Sequence, residues 1–137
     1  MSVLLIRHTS NPAVPDASLL PAQLAGQPLH CLHCGSLPAL AQCLHTARQQ
    51  APDWVLIENS ATDDTQWALH GRTVCNALDA LPAPYIEIAS NDADTLETHL
   101  HPHHAATAVV VCSTGTDEAR RLSLAITTRL LSSGQGA

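Results

Sequence analysis

The sequence predicts an α/β fold, a parallel sheet with helices on both of its faces. Two observations predict it. Short apolar runs such as Val3 to Ile6 and Ala108 to Cys112 carry no polar alternation, as strands covered on both faces do. Between such runs lie segments whose apolar residues recur at helical spacing. Strands and helices that alternate in this way form a parallel sheet with right-handed crossovers.

Taken in order, Val3 to Ile6 is the first strand. The stretch Asn11 to Pro28 holds Pro12, Pro15, Pro21 and Pro28, which limits any helix there to a brief piece, Ser18 to Ala25. Leu29 to Leu32 reads as the second strand. Ser36 is placed to cap a helix through Gln50, with Leu37, Leu40, Ala41, Leu44 and Ala47 on one face. Trp54 to Ile57 is the third strand, and Asp64 or Thr65 caps a helix that ends near Leu81, where Leu-Pro-Ala-Pro stops it. Tyr85 to Ala89 is the fourth strand, Ala108 to Cys112 the fifth, and Asp117 to Leu131 a final helix followed by a frayed tail over 131–137. Five such strands indicate a flavodoxin-like, three-layer arrangement with strand order 2-1-3-4-5 in a single domain, 1–137.

Composition removes several function classes. Six Lys+Arg against twelve Asp+Glu leave a net charge of −6, which argues against a nucleic-acid partner. All six basic residues are arginine, so lysine Schiff-base chemistry and a lysine-bearing phosphate loop are excluded. The chain lacks an apolar run long enough for a membrane span and a charged-then-apolar leader, so a cytoplasmic location without membrane association is expected. The five cysteines, Cys31, Cys34, Cys43, Cys75 and Cys112, are an odd number for which reduced thiols are the expected state.

The stretch from Trp54 to Leu69 runs from an apolar strand through a polar turn straight into a helix. In open α/β sheets ligands bind outside the carboxyl ends of the strands, so this turn is expected to line a pocket. It carries three acids, Glu58, Asp63 and Asp64. Small polar residues recur at the other strand ends: Thr9 and Ser10, Asn59 and Ser60, Ser90 and Asn91, Ser113 and Thr114. They either form a hydrogen-bonding pocket for a small molecule, to which Ser10, Asn59, Ser60, Ser90 and Asn91 contribute, or satisfy exposed strand ends.

Three other motifs have a functional and a plain reading. Cys31-Leu-His-Cys34 has the spacing of a thiol redox site, but Cys31 falls in a strand rather than at a helix N-terminus, so ordinary thiols are the preferred reading. His99 to His104 holds four imidazoles in six residues; Pro102 prevents a regular helical pair, and no metal site is assigned. Ser113 to Thr116 precedes a helix start carrying Asp117 and Glu118, acids that suit the helix dipole and oppose an anion.

Leu29 to Leu69 resembles the type II 3-dehydroquinate dehydratases. Their second strand and helix, V-x-x-R-Q-S-N-x-E-G-E-L-[IV]-D-x-I-H-x-A, correspond here to LHCLHCGSLPALAQCLHTA, with Leu40, Leu44, His45 and Ala47 kept. Their third strand and turn, I-I-N-P-G-A-x-T-H-T-S-x-A-L-R-D-A-L, correspond to LIENSATDDTQWALHGRTV, with Ile57, Ala61, Thr65, Ala68 and Leu69 kept. The fourth strand, P-x-[IV]-E-V-H-[IL]-S-N, is similar to PYIEIASND. The likeness spans roughly the last three quarters of the chain, and order and spacing agree throughout.

The resemblance implies a dehydration of 3-dehydroquinate that needs no cofactor, in trimers often assembled into dodecamers. It also implies a lid Arg and Tyr at the proton-abstraction step, an Asn-bound water for the enolate, two His and a later Arg. This chain departs at nearly every one. Arg7 is the sole Arg before position 48, no Tyr precedes Tyr85, and Asn11 to Leu29 is too short for the lid. The Asn of I-N-P-G is Glu58, the turn His is Asp64, and the His after E-V is Ala89. The distal Arg falls on Leu100 or Pro102. Losing these together leaves no positioned base for the family reaction. Arg7 and Glu58 each match a neutral Asn at the ends of neighbouring strands, so an Arg7–Glu58 ion pair is expected to fill part of the old site, and the acids would repel a carboxylate substrate. The leading expectation is a pseudoenzyme with a binding or regulatory role. The alternatives are a lyase using Glu58 or Asp64 as base, and a structural subunit that co-assembles with an active homologue.

Overall fold

Strand β1 (Val3–His8) is buried along its whole length, and the rest of the sheet is laid down on either side of it. The computed structural model describes residues 2–8, 23–24, 27–50, 52–59, 64–89, 95–100, 106–111, 121 and 124–129. After β1 come β2 (Gln23–Leu24), β3 (Gln27–Cys34), α1 (Leu37–Gln50), β4 (Trp54–Asn59), α2 (Asp64–Asp79), β5 (Tyr85–Ala89), α3 (Leu96–Leu100) and β6 (Ala108–Val111). Residues 124–129 are helical as well.

The strand order is β2-β3-β1-β4-β5-β6. β1 pairs in parallel with β3 and with β4, β4 with β5, and β5 with β6. These five parallel strands, taken in chain order, give 2-1-3-4-5, the flavodoxin-like arrangement expected from the alternation of elements. The short β2 adds an antiparallel edge against β3. It falls inside the segment where a brief helix over Ser18 to Ala25 was expected, so Gln23 and Leu24 correct that expectation. The prolines that shorten any helix there leave an extended segment free to pair with the open edge of β3.

Successive residues of a strand point to opposite faces, and the core divides accordingly. Leu4, Ile6, Val55, Ile57 and Tyr85 join α1 and α2 in one cluster, with Leu96 of α3. Val3, Leu5, Leu56, Ile86 and Ile88 form a second cluster on the other face, against which Leu124 packs. Helix α1 starts as its sequence indicates: the Ser36 hydroxyl accepts a hydrogen bond from Ala39 N at 3.3 Å, capping a first turn in which Pro38 has no partner to lose. Its stripe Leu37, Leu40, Ala41, Leu44 and Ala47 is buried, and each fully buried leucine contributes about 1.5–3 kcal/mol. Helix α2 buries Trp67, Gly71, Val74 and Leu78, a single helical stripe laid on the same sheet face.

Helix α3 has no counterpart in the sequence expectations. It is anchored from the sheet: Glu87, wholly buried in β5, accepts a hydrogen bond from the backbone N–H of Leu96 through its Oε2. A carboxylate at a helix start satisfies an orphan donor and suits the local dipole. No helix among the described residues is long and apolar enough to cross a membrane.

Candidate functional site

With the strand order 2-1-3-4-5, the chain reverses its winding direction between β1 and β4, and the carboxyl ends of those two strands flank the crevice where such folds bind ligands. Two pairs of polar side chains stand there, in successive rows of the sheet. Arg7 pairs in register with Glu58, and His8 with Asn59. Because neighbours along a strand alternate faces, the first pair lies on the face of Val3, Leu5 and Leu56, and the second on the face of α1 and α2.

Arg7 and Glu58 are 6% and 7% exposed. Arg7 Nε lies 3.5 Å from Glu58 Oε2, and Arg7 Nη2 donates to Glu58 Oε1, also at 3.5 Å. The contact is long for a charge-assisted bond, and Nε makes no hydrogen bond. The attraction is therefore that of two charges held side by side in a poorly hydrated place, rather than of a tight guanidinium–carboxylate fork.

His8 is 4% exposed, and its Nδ1 lies 2.5 Å from Asn59 Oδ1. An amide oxygen only accepts, so Nδ1 carries the proton and Nε2 keeps the lone pair. Burial lowers the pKa of the imidazole from its ordinary 6.5, and the hydrogen bond to Asn59 opposes this in part. His8 is thus a neutral imidazole near pH 7 with a fixed tautomer. The register also brings Cys34 beside His8, and Ala89 beside Asn59. The Cys34 thiol donates to the carbonyl of Arg7 at 3.6 Å. His8 escapes a reading from apolar runs, because the first run ends at Ile6 whereas the strand continues to His8. The signal available was its position one residue beyond Arg7, at the carboxyl end of the central strand.

His8 has a measurable consequence. Its pKa is lower in the folded protein than in the unfolded chain, so the unfolded state binds the extra proton first as pH falls. Stability contributed by neutral His8 is complete above the unfolded value of about 6.5 and is lost as pH falls through the lower folded value. Thermal melting temperatures are expected to fall as pH drops through the window between those two values, and His8→Gln is expected to flatten this part of the profile.

The other sequence candidates fall out as follows. Asn59 is wholly buried and sits in the His8 row. Asp64 is exposed in the first turn of α2, where an acid suits the helix dipole. Ser10, Ser60, Ser90 and Asn91, together with Asp63, lie outside the described residues. Cys31 is exposed whereas Cys34 is buried, and their positions in β3 point them to opposite sheet faces, so the C-x-x-C spacing does not bring two thiols together. Of the histidine run, His99 is described: its ring stacks on Trp67 with centroids 4.4 Å apart and planes 9° from parallel. His101, His103 and His104 lie outside the described residues, and no group of three potential metal ligands occurs among the described residues.

A second concavity, an open cleft of about 430 Å³, lies between α2 and α3 and is lined by Trp67, Arg72, Cys75, Asp79 and His99 among others. Its thiol is not activated: burial and the neighbouring Asp79 carboxylate both raise the Cys75 pKa, which disfavours the thiolate.

The chain is 30% identical over 118 residues to the 3-dehydroquinate dehydratase of Xanthomonas euvesicatoria pv. vesicatoria, a match covering 84% of this chain and 76% of that enzyme. The same identity and coverage hold for the 3-dehydroquinate dehydratases of Xanthomonas campestris pv. campestris and Xanthomonas oryzae pv. oryzae. Among solved structures, a 3-dehydroquinate dehydratase-like protein from Bifidobacterium longum superposes with a TM-score of 0.58 at 13% identity, over 96% of this chain and 98% of that one, a likeness of fold. No family model matches the sequence.

Proposed function

The chain belongs to the 3-dehydroquinate dehydratase family, and from that premise we propose that it is a divergent type II member that has lost the family dehydration and serves a binding or regulatory role. The observation that carries this reading is the Arg7–Glu58 pair. The type II substrate is a carboxylate anion, which needs a cation or N–H donors. At the β1–β4 crevice the arginine is held against a carboxylate on the adjacent strand, so its charge is already balanced. The neighbouring imidazole is kept neutral by burial and adds no cation.

The ligand in this reading is a small molecule recognised by hydrogen bonds, and the proposed contacts are Asn59, at the carboxyl end of β4, and, from the sequence, Ser10, Ser60, Ser90 and Asn91. No cofactor and no metal enter this reading. The family resemblance supports a homo-oligomer, a trimer or a dodecamer, and the net charge of −6 favours a cytoplasmic setting without nucleic-acid or membrane partners.

A second reading, retained acid–base chemistry, is favoured by one observation: His8 presents an oriented neutral imidazole, the kind of group a general base requires. Glu58 and Asp64, the carboxylates available by sequence, are less suited. The first faces a guanidinium, and the second is exposed on the first turn of α2. The purified protein supplied with 3-dehydroquinate separates the two readings through the absorbance of 3-dehydroshikimate. A third role, as a structural subunit beside an active homologue, is tested by light scattering of the protein alone and mixed with such a homologue.

A further inference from the structure

We infer that the cleft between α2 and α3 is a second ligand site, one that takes a small aromatic carboxylate. Its volume of about 430 Å³ falls within the range of about 300–1,000 Å³ usual for small-molecule pockets. One wall is α2 from Trp67 onward, and the other is the short α3 with His99 and Leu100. Gly71 lets the two helices approach this closely. A Cβ there would stand 3.1 Å from Leu100 Cδ2, inside the roughly 3.5–4.0 Å at which carbon atoms pack best.

Three hydrogen-bond donors of α2 line the cleft without a partner among the described residues. Trp67 is 9% exposed, and its indole Nε1 is buried and makes no hydrogen bond. An indole N–H normally finds an acceptor when buried, and one that has given up water for nothing is an uncompensated cost. Arg72 and Asn76 stand one turn apart and are neighbours on the helix surface. Neither side chain has an ion pair or hydrogen bond among the described residues. A carboxylate is acceptor-only and offers about four lone-pair sites, and its plane matches the fork of the arginine.

The charge of the ligand is limited by Asp79, which also lines the cleft. It lies two turns beyond Arg72, about 10 Å along the helix axis, where salt screens most of its repulsion between exposed groups. It also accepts from the Cys75 thiol at 3.9 Å. A monoanion held at the Arg72 end is therefore favoured over a phosphate dianion. The aromatic part follows from His99. Its ring is stacked on Trp67, with centroids 4.4 Å apart and planes 9° from parallel. One imidazole face is covered in this way, and the half-buried ring lines the cleft with the rest of its surface. A flat ring in the cleft extends that stack. This inference stands apart from the binding role proposed above, since it needs no ligand in the β1–β4 crevice.

Benzoate is the probe, and the indole N–H resonances of an isotope-labelled sample are the readout. The chain has two tryptophans, Trp54 and Trp67, and Trp54→Phe shows which signal belongs to which. The expected result is a saturable shift of the Trp67 signal at millimolar benzoate, with the Trp54 signal unmoved. Arg72→Gln is expected to weaken binding by about tenfold or more. Arg72 is exposed, and unchanged amide signals outside the cleft verify that the variant folds. Cyclohexanecarboxylate, of the same charge but without a flat ring, is expected to bind more weakly than benzoate. No saturable shift in the parent, an equal response in Arg72→Gln, or equal binding of cyclohexanecarboxylate would overturn the proposal. So would a response centred on Arg7, His8, Glu58 and Asn59, which would place benzoate in the crevice instead.

Discussion

Replacing Glu58 by Gln is expected to destabilise the protein by about 3–5 kcal/mol, the cost of leaving a buried charge without its partner. Arg7 is 6% exposed and faces Glu58 from the neighbouring strand. A guanidinium cannot shed its proton at any pH the protein survives, so the variant must bury the cation or open the strand end to water. The reverse change is milder. In Arg7→Met the carboxyl of Glu58 can take up a proton and become neutral, and the methionine fills the vacated space. The double variant Arg7→Met/Glu58→Leu is expected to be more stable than Glu58→Gln alone, since it removes both desolvated charges. Urea denaturation of the three variants measures the order directly. A Glu58→Gln protein as stable as the parent would mean that the pair is well hydrated in solution.

The second large effect is expected at Glu87. This residue is wholly buried, and its carboxylate accepts a hydrogen bond from the Leu96 backbone N–H. Truncation in Glu87→Ala leaves that donor buried and unsatisfied. A loss of about 1–3 kcal/mol follows for an unmet buried group, and more where the missing partner is charged. Helix α3, only five residues long, is too short to persist on local propensity, so it should detach as a unit. Amide hydrogen exchange would register this as lost protection at residues 96–100, while β1 and β4 remain protected. Glu87→Gln keeps an accepting oxygen and is expected to retain most of the protection. Equal loss in both variants would show that charge, rather than the hydrogen bond, holds the helix.

These two side chains also show what a sequence reveals and what it withholds. Arg7 and Glu58 were legible as neighbours because parallel strands in a 2-1-3 order align their ends, and a register once fixed carries every residue with it. The capped helix α1 was legible because Ser36 and the stripe from Leu37 to Ala47 are local signals. Glu87 looked like one polar residue inside an apolar strand, and nothing local told that it reaches nine residues ahead to start a helix. Helix α3 was illegible for the same reason: its anchor is tertiary. His8 was passed over because the strand outlasts the apolar run that announces it. The edge strand β2 arises from pairing with β3, which propensity in a proline-rich stretch does not announce.

The switch-point crevice holds an arginine balanced by a carboxylate and an imidazole fixed by an amide, in a family whose substrate is an anion. The direct measurement is the absorbance of 3-dehydroshikimate with purified protein at high concentration and 3-dehydroquinate in excess. The expected rate is no greater than that without protein. Turnover that is present in the parent and lost in His8→Gln, Glu58→Ala or Asp64→Ala would contradict it, and would place the family's chemistry on this chain's own residues.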